Sequence, residues 1–157
     1  MGLLLKDNQF GPTIKMLIEQ AKKTIAISTF KLEKKDKTAT DPTNAILNAM
    51  IAKKRNGIKV RCLFNWHTNQ KLVPRTNIVA GRYLKTAGVE VRHLKYNRCC
   101  HAKILIIDNE RAVVGSHNLS VKSLTSNFEI SYLLADIESV SALSSIYDKS
   151  WNDAEAL

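Results

Sequence analysis

Apolar positions along the chain recur at helical spacing in some stretches and run together in others. Pro12 suits the first position of a helix whose stripe is Ile14, Leu17, Ile18 and Ala21. Residues 24–30 are short, β-branched and apolar, which predicts a strand. Asp41-Pro42 starts a second helix with the stripe Ile46, Leu47, Met50 and Ile51, and Gly57 stops it. A strand follows at 58–64, a helix at 75–87 ending at Gly88, and a strand at 89–94. Residues 102–107 and 112–114 predict two strands joined by a tight turn around Asp108, Asn109 and Glu110. A strand at 128–135 leads to Asp136, which caps a last helix running to about Trp151.

Helix and strand thus alternate through the first ninety-odd residues, and a hairpin comes after them. Ile104, Leu105, Ile106 and Ile107 are apolar on both faces of their strand, so that strand needs cover on both sides. The expected fold class is α/β, with a mixed β-sheet sandwiched between helix layers. At 157 residues the chain is one domain, 1–157, with room for a real core. The short ends leave open that it is one domain of a larger protein. The polar stretch 31–40 reads as a solvated loop rather than a linker.

Charge sharpens this picture. Twenty-four Lys and Arg against fourteen Asp and Glu give a net charge of +10. The surplus is uneven: residues 62–103 hold 8 basic and 1 acidic side chain, whereas 104–157 hold 3 basic and 8 acidic. A surplus of this size predicts a phosphate-rich partner, either nucleic acid or an anionic membrane surface. No apolar run approaches a membrane span, and Leu3-Leu4-Leu5 is too short for a signal-peptide core. Lys6 stands where an acylation signal needs Ser or Thr. Cys62, Cys99 and Cys100 form no metal spacing and are odd in number, so reduced thiols and a cytoplasmic location are expected.

One stretch carries the chemistry. It reads His101-Ala102-Lys103, four residues, Asp108, six residues, then Gly115-Ser116-His117-Asn118. Six residue types at fixed spacing arise by chance in such a chain roughly once in a million. On a strand, side chains two apart share a face, so His101 and Lys103 project to one spot. A cation stabilises the charge that develops on a phosphate, and an imidazole can attack phosphorus. Gly115 permits a tight turn, Ser116 offers a hydroxyl and a backbone N–H, and Asn118 offers amide donors. Asp108 lies an odd number of positions from both His101 and Lys103, so it reads as structural rather than as a proton carrier.

The motif resembles the phospholipase D superfamily at every fixed position, in the compact single-motif branch that contains endonucleases. The resemblance implies a phospholipase D-like fold over nearly the whole chain. It implies His101 as nucleophile, with Lys103, Ser116 and Asn118 binding phosphate. It implies Glu129, on the next strand, as the acidic partner of the histidine, accepting from His101 Nδ1 and leaving Nε2 to attack. His117, at the motif's variable position, His67, in a polar loop after a strand, and Arg98, just before the motif, are candidate substrate contacts. Trp66 and Lys71 share that loop. His93 reads as an ordinary core or surface histidine.

The family reaction uses two histidines, one attacking phosphorus and one protonating the leaving oxygen. This chain has one motif, so a homodimer is expected, with His101 and its symmetry mate facing across a two-fold axis. The scheme calls for no metal and no cofactor. The expected activity is metal-independent endonucleolytic cleavage of DNA or RNA. The run Lys53, Lys54, Arg55, Lys59 and Arg61 either tracks the backbone or complements a helix end. The alternatives are a phospholipase or cardiolipin-type hydrolase on a lipid surface and a nucleic-acid-binding module without turnover.

Overall fold

The computed structural model describes residues 2–35, 41–66, 72–95 and 98–157. In chain order the elements are β1 (Leu3–Lys6), α1 (Phe10–Gln20), β2 (Thr24–Thr29), α2 (Pro42–Arg55) and β3 (Lys59–Phe64). There follow α3 (Leu72–Thr86), β4 (Glu90–His93), β5 (Lys103–Ile107), β6 (Arg111–Gly115) and α4 (Val121–Thr125). The chain ends with β7 (Ile130–Leu134), α5 (Ile137–Asn152) and β8 (Glu155–Ala156). The eight strands make one sheet in the order β1-β7-β6-β5-β2-β3-β4-β8. β2, β3 and β4 run parallel, as helical crossovers require, and the other pairings are antiparallel.

Side-chain alternation divides the core. Ile25, Ile27, Leu105 and Ile107 face a layer built by α1, α2 and α3, with Ile14, Ile18, Leu47, Met50 and Leu84 opposite. Ala26, Ile104 and Ile106 face α5, which supplies Val140, Tyr147 and Trp151. β5 is buried along its whole length, as a strand covered on both faces must be. The expected mixed sheet between helix layers is therefore the observed one.

The differences lie in short elements. β1 buries only Leu5 and leaves Leu3 and Leu4 exposed, so its pairing with β7 leaves no alternation to read. A 3-10 turn at Asp7–Gln9 leads directly into α1, which makes Pro12 its third residue rather than its first. α4, at five residues, is too short to show a stripe. The β5–β6 turn places Asp108 (φ 57°) and Asn109 (φ 56°) in the left-handed region, as in a type I′ turn, with the Glu110 amide bonded to the Ile107 carbonyl. Among the described residues no helix is long and apolar enough to cross a membrane.

Candidate active site

Phosphate chemistry in α/β sheets gathers outside the carboxyl ends of the parallel strands. Here that rim holds the end of β2, the start of β5, the end of β6 and the residue before β7. Lys103 opens β5, and His101 stands two residues earlier on the same face. The Lys103 ammonium lies 3.1 Å from His101 Nδ1 and 3.3 Å from Nε2, and it donates to the His101 carbonyl at 2.7 Å. The Phe30 ring flanks both, 5.1 Å from the imidazole centroid and 5.7 Å from the ammonium. Lys103 is buried and His101 exposed. Burial pulls the Lys103 pKa below the ordinary lysine range, and the nearby Cys100 and Glu129 oppose that shift.

Asn118 reaches the same rim from the loop after β6. Its Oδ1 accepts from the Lys31 amide at 3.0 Å, and its own amide donates to Ser123 Oγ at 2.8 Å. With Oδ1 fixed inward, the Nδ2 donors have no acceptor among the described residues. An imidazole, an ammonium and a carboxamide N–H pair are thereby brought to one edge of the sheet.

Glu129 does not make the expected bond to His101. Lys103, Gly115 and Ser131 stand in register across β5, β6 and β7, so Glu129 is two strands away from the histidine. Two strand spacings amount to roughly 10 Å, which a carboxylate does not bridge. The carboxylate is also occupied: Ser116 Oγ donates to Oε2, and Ser123 Oγ (2.7 Å) and Asn127 Nδ2 (3.1 Å) donate to Oε1. Burial pushes the Glu129 pKa up, but these three donors together outweigh it and hold the carboxyl below its ordinary value.

Ser116 shares this arrangement. Its hydroxyl proton goes to Glu129, its Oγ accepts from the Ile130 amide at 3.1 Å, and its N–H bonds the Ile130 carbonyl at 3.0 Å. The residue thus ties β6 to β7, and neither its hydroxyl proton nor its N–H is left for a phosphate. Gly115 is required because a Cβ there would overlap the Ser131 backbone and side chain.

His117, a candidate substrate contact, is buried instead. Its ring stacks on Phe10 at 4.2 Å. Nε2–H donates to the Asp7 carbonyl at 3.0 Å, which leaves Nδ1 to accept from Ser131 Oγ at 2.7 Å. Burial lowers its pKa, and this pairing fits the neutral imidazole. Asp108 sits at the opposite end of β5 and accepts from the amides of Lys22 (2.8 Å), Lys23 (2.7 Å) and Thr24 (2.8 Å). Burial raises its pKa, and those amides together bring it below the ordinary aspartate value.

The run Lys53 to Arg61 also lies at that far end, where α2 stops and β3 starts. Lys53 caps the Ala21 carbonyl, and Arg61 pairs with Asp148 at 2.7 Å. This is the helix-end reading of these cations rather than a backbone track at the His101 rim. Arg98 is exposed and lines the same cleft as His101. His67 and Lys71 lie outside the described residues.

Two buried asparagines support the rim and were not singled out from the sequence. Asn77, on α3, accepts from the Leu32 amide (2.7 Å) and donates to the carbonyls of Phe30 (2.9 Å) and Asn65 (2.5 Å). Asn65, just after β3, accepts the Cys100 amide at 3.0 Å. The loops after β2 and β3 are thereby locked together and joined to the residue preceding His101. Asp7 does similar work on the other side, exchanging two hydrogen bonds with the Glu129 backbone at 2.9 and 3.0 Å. Among the described residues no three His, Cys, Asp or Glu side chains group as metal ligands would.

A sheet rim with this histidine–lysine–asparagine set defines a phospholipase D-like domain, and known proteins agree. The whole chain superposes on 99% of Nuc, a phospholipase D family member from Salmonella typhimurium, with a TM-score of 0.81 at 18% identity. Residues 14–151 match the family model described as cardiolipin synthase, PLD-like domain, and the chain belongs to this family. It is 35% identical over 107 residues to a cardiolipin synthase of Alkalihalophilus pseudofirmus, covering 68% of this chain and 21% of that protein. It is 28% identical over 140 residues to the virion nicking-joining enzyme of vaccinia virus, covering 86% of this chain and 31% of that protein. The chain thus spans about a fifth to a third of the curated relatives it matches.

Proposed function

We propose that this domain is a nuclease that cleaves phosphodiesters of DNA or RNA through a phosphohistidine, at one site shared by two copies of the chain. The observation that carries the reading is the convergence of His101, Lys103 and the Asn118 carboxamide donors at one rim. His101 Nε2 attacks phosphorus and forms the N–P bond. The P–O bond to the leaving alcohol breaks, and that oxygen takes a proton from the protonated imidazole of the partner subunit's His101. Water then attacks the phosphohistidine and gives its proton to the same partner imidazole. The N–P bond breaks, a phosphomonoester leaves, and both histidines are restored. Lys103 and Asn118 hold the charge on the non-bridging oxygens.

Pairing has a candidate surface. Phe128, Ile130 and Tyr132 alternate on one face at the start of β7, and Leu4 stands opposite Tyr132 in register. They are 78, 43, 41 and 57% exposed respectively. An exposed apolar stripe on the two strands at the sheet edge, starting beside Glu129, suits burial against its own copy. The net charge of +10 and the likeness to a family nuclease and a nicking-joining enzyme support a nucleic-acid substrate.

The cardiolipin synthase relatives favour a second reading, phosphodiester transfer or hydrolysis on lipids. One experiment separates the two. Plasmid, single-stranded oligonucleotides and labelled phospholipid vesicles are each incubated with the protein in EDTA, beside His101→Asn. Nucleic-acid cleavage that the variant lacks is expected. Lipid turnover with nucleic acid untouched would overturn the proposal in favour of the second reading. Binding without turnover would leave a nucleic-acid-binding module.

A further inference from the structure

Across the rim from Lys103, between the start of β5 and α5, lies a cleft of about 270 Å³. Its floor is apolar, made by Leu63, Leu94 and Ile104, and Ile146 of α5 forms a wall. Ile146 is 60% exposed, so the core does not explain it. The mouth carries two exposed nitrogen-rich side chains, Arg98 and His101, and Ser150 adds a hydroxyl. An apolar cleft with a few polar groups at its edge is the form of a small-ligand site. This one shares His101 with the phosphate cluster.

From this geometry we infer that the cleft binds the base of the nucleoside that stays on phosphorus during the first step. The inference rests on the nuclease reading above. In a displacement at phosphorus the attacking and leaving atoms stand roughly in line, so the leaving group departs away from His101. The retained group lies to the side of that line, nearer the histidine, where the cleft opens. A nucleobase is flat, has two apolar faces and carries polar atoms on its edge. It matches an aliphatic floor and wall with Arg98 and Ser150 at the margin. A lipid acyl chain has no use for the guanidinium or the hydroxyl.

The test uses three chromogenic diesters with one leaving group: the 4-nitrophenyl esters of thymidine 5′-phosphate, methyl phosphate and octyl phosphate. The thymidine ester is expected to exceed the methyl ester in kcat/KM by about tenfold, what partial burial of a base's apolar face supplies. That ratio should fall toward one in Ser150→Leu, which fills the cleft, and decline in Ile146→Ala, which removes its wall. A wild-type ratio near one, a ratio that neither variant alters, or a preference for the octyl ester would overturn the inference. If no ester is turned over, plasmid cleavage decides the nuclease reading, and where plasmid is cleaved the cleft is judged by calorimetry. Tighter binding of thymidine 5′-phosphate than of deoxyribose 5-phosphate, lost in Ser150→Leu, would sustain it; equal binding would overturn it.

Discussion

Glu129 and His101 occupy the same rim yet precede strands separated by β6, and the Glu129 carboxylate is held by Ser116, Ser123 and Asn127. Its role toward its own histidine is therefore one of charge and scaffold rather than contact. Glu129→Gln replaces one acceptor oxygen with a donor that meets a hydroxyl, and the expected loss is about 1–2 kcal/mol at neutral pH. The sign with pH follows from the lowered carboxyl pKa. The stabilisation is complete above the unfolded value near 4.5 and is lost as pH falls from there through the folded value. The Tm gap between wild type and Glu129→Gln should thus be open at neutral pH and narrow on acidification below that value. A gap that widens in acid would contradict the assignment.

Asp108 belongs to the same signature but stabilises the opposite end of the sheet. Three backbone amides converge on its carboxylate, and its φ of 57° is one that Asp and Asn tolerate better than Ala. Asp108→Ala removes both features and is expected to cost about 2 kcal/mol. Asp108→Asn keeps the backbone preference and should cost less. Denaturant midpoints would show the order. Turnover per folded molecule should change little in both, and a large fall in kcat without loss of stability would point to a catalytic role instead.

Much of this layout could be read along the chain. The all-apolar run Ile104 to Ile107 announced a strand covered on both faces, and the two core layers supply that cover. Asp108 lies away from the site because it follows the far end of β5, opposite Lys103, a consequence of distance along the strand rather than of its odd spacing. What escaped depends on relations between distant segments. β1 is legible only through its pairing with β7. His117 looked available because its partners, Phe10 and Asp7, come from the other end of the chain. Glu129 immediately precedes β7, the strand that follows the motif in sequence order, but β6 stands between β7 and β5, and only the strand order reveals the separation. Asn65 and Asn77 carried no signal, since a polar residue at a strand end or on a helix reads as solvated until its burial is seen.

Those two asparagines yield a sharper prediction. Asn65 accepts the amide of Cys100, the residue before His101, and Asn77 fixes the loop that bears Phe30. Asn65→Ala leaves the buried Cys100 amide without that acceptor and frees the approach to the histidine. A fall in kcat of about tenfold with little change in KM is expected, as for loss of positioning rather than of binding. Asn65→Asp keeps an acceptor oxygen and should restore part of the rate, while its added charge near the rim moves the pH profile toward higher pH. Equal damage from both variants, with no change in the profile, would reduce Asn65 to a packing residue.

Two-fold sharing of the site makes the strongest prediction. His101 is exposed, and under the proposed shared site a working unit needs an intact imidazole from each copy. His101→Asn should therefore abolish turnover while circular dichroism and Tm stay near wild type, because the side chain is exposed and its ring contacts are few. Mixing tells more. If wild-type and His101→Asn chains are denatured together in equal amounts and refolded, random pairing leaves about one pair in four with two histidines. Activity per total chain should then fall to about a quarter of the all-wild-type value, against about a half if each chain worked alone. The mixture thus measures whether the catalytic unit is one chain or two. A value near one half, with light scattering showing an active monomer, would refute the shared site.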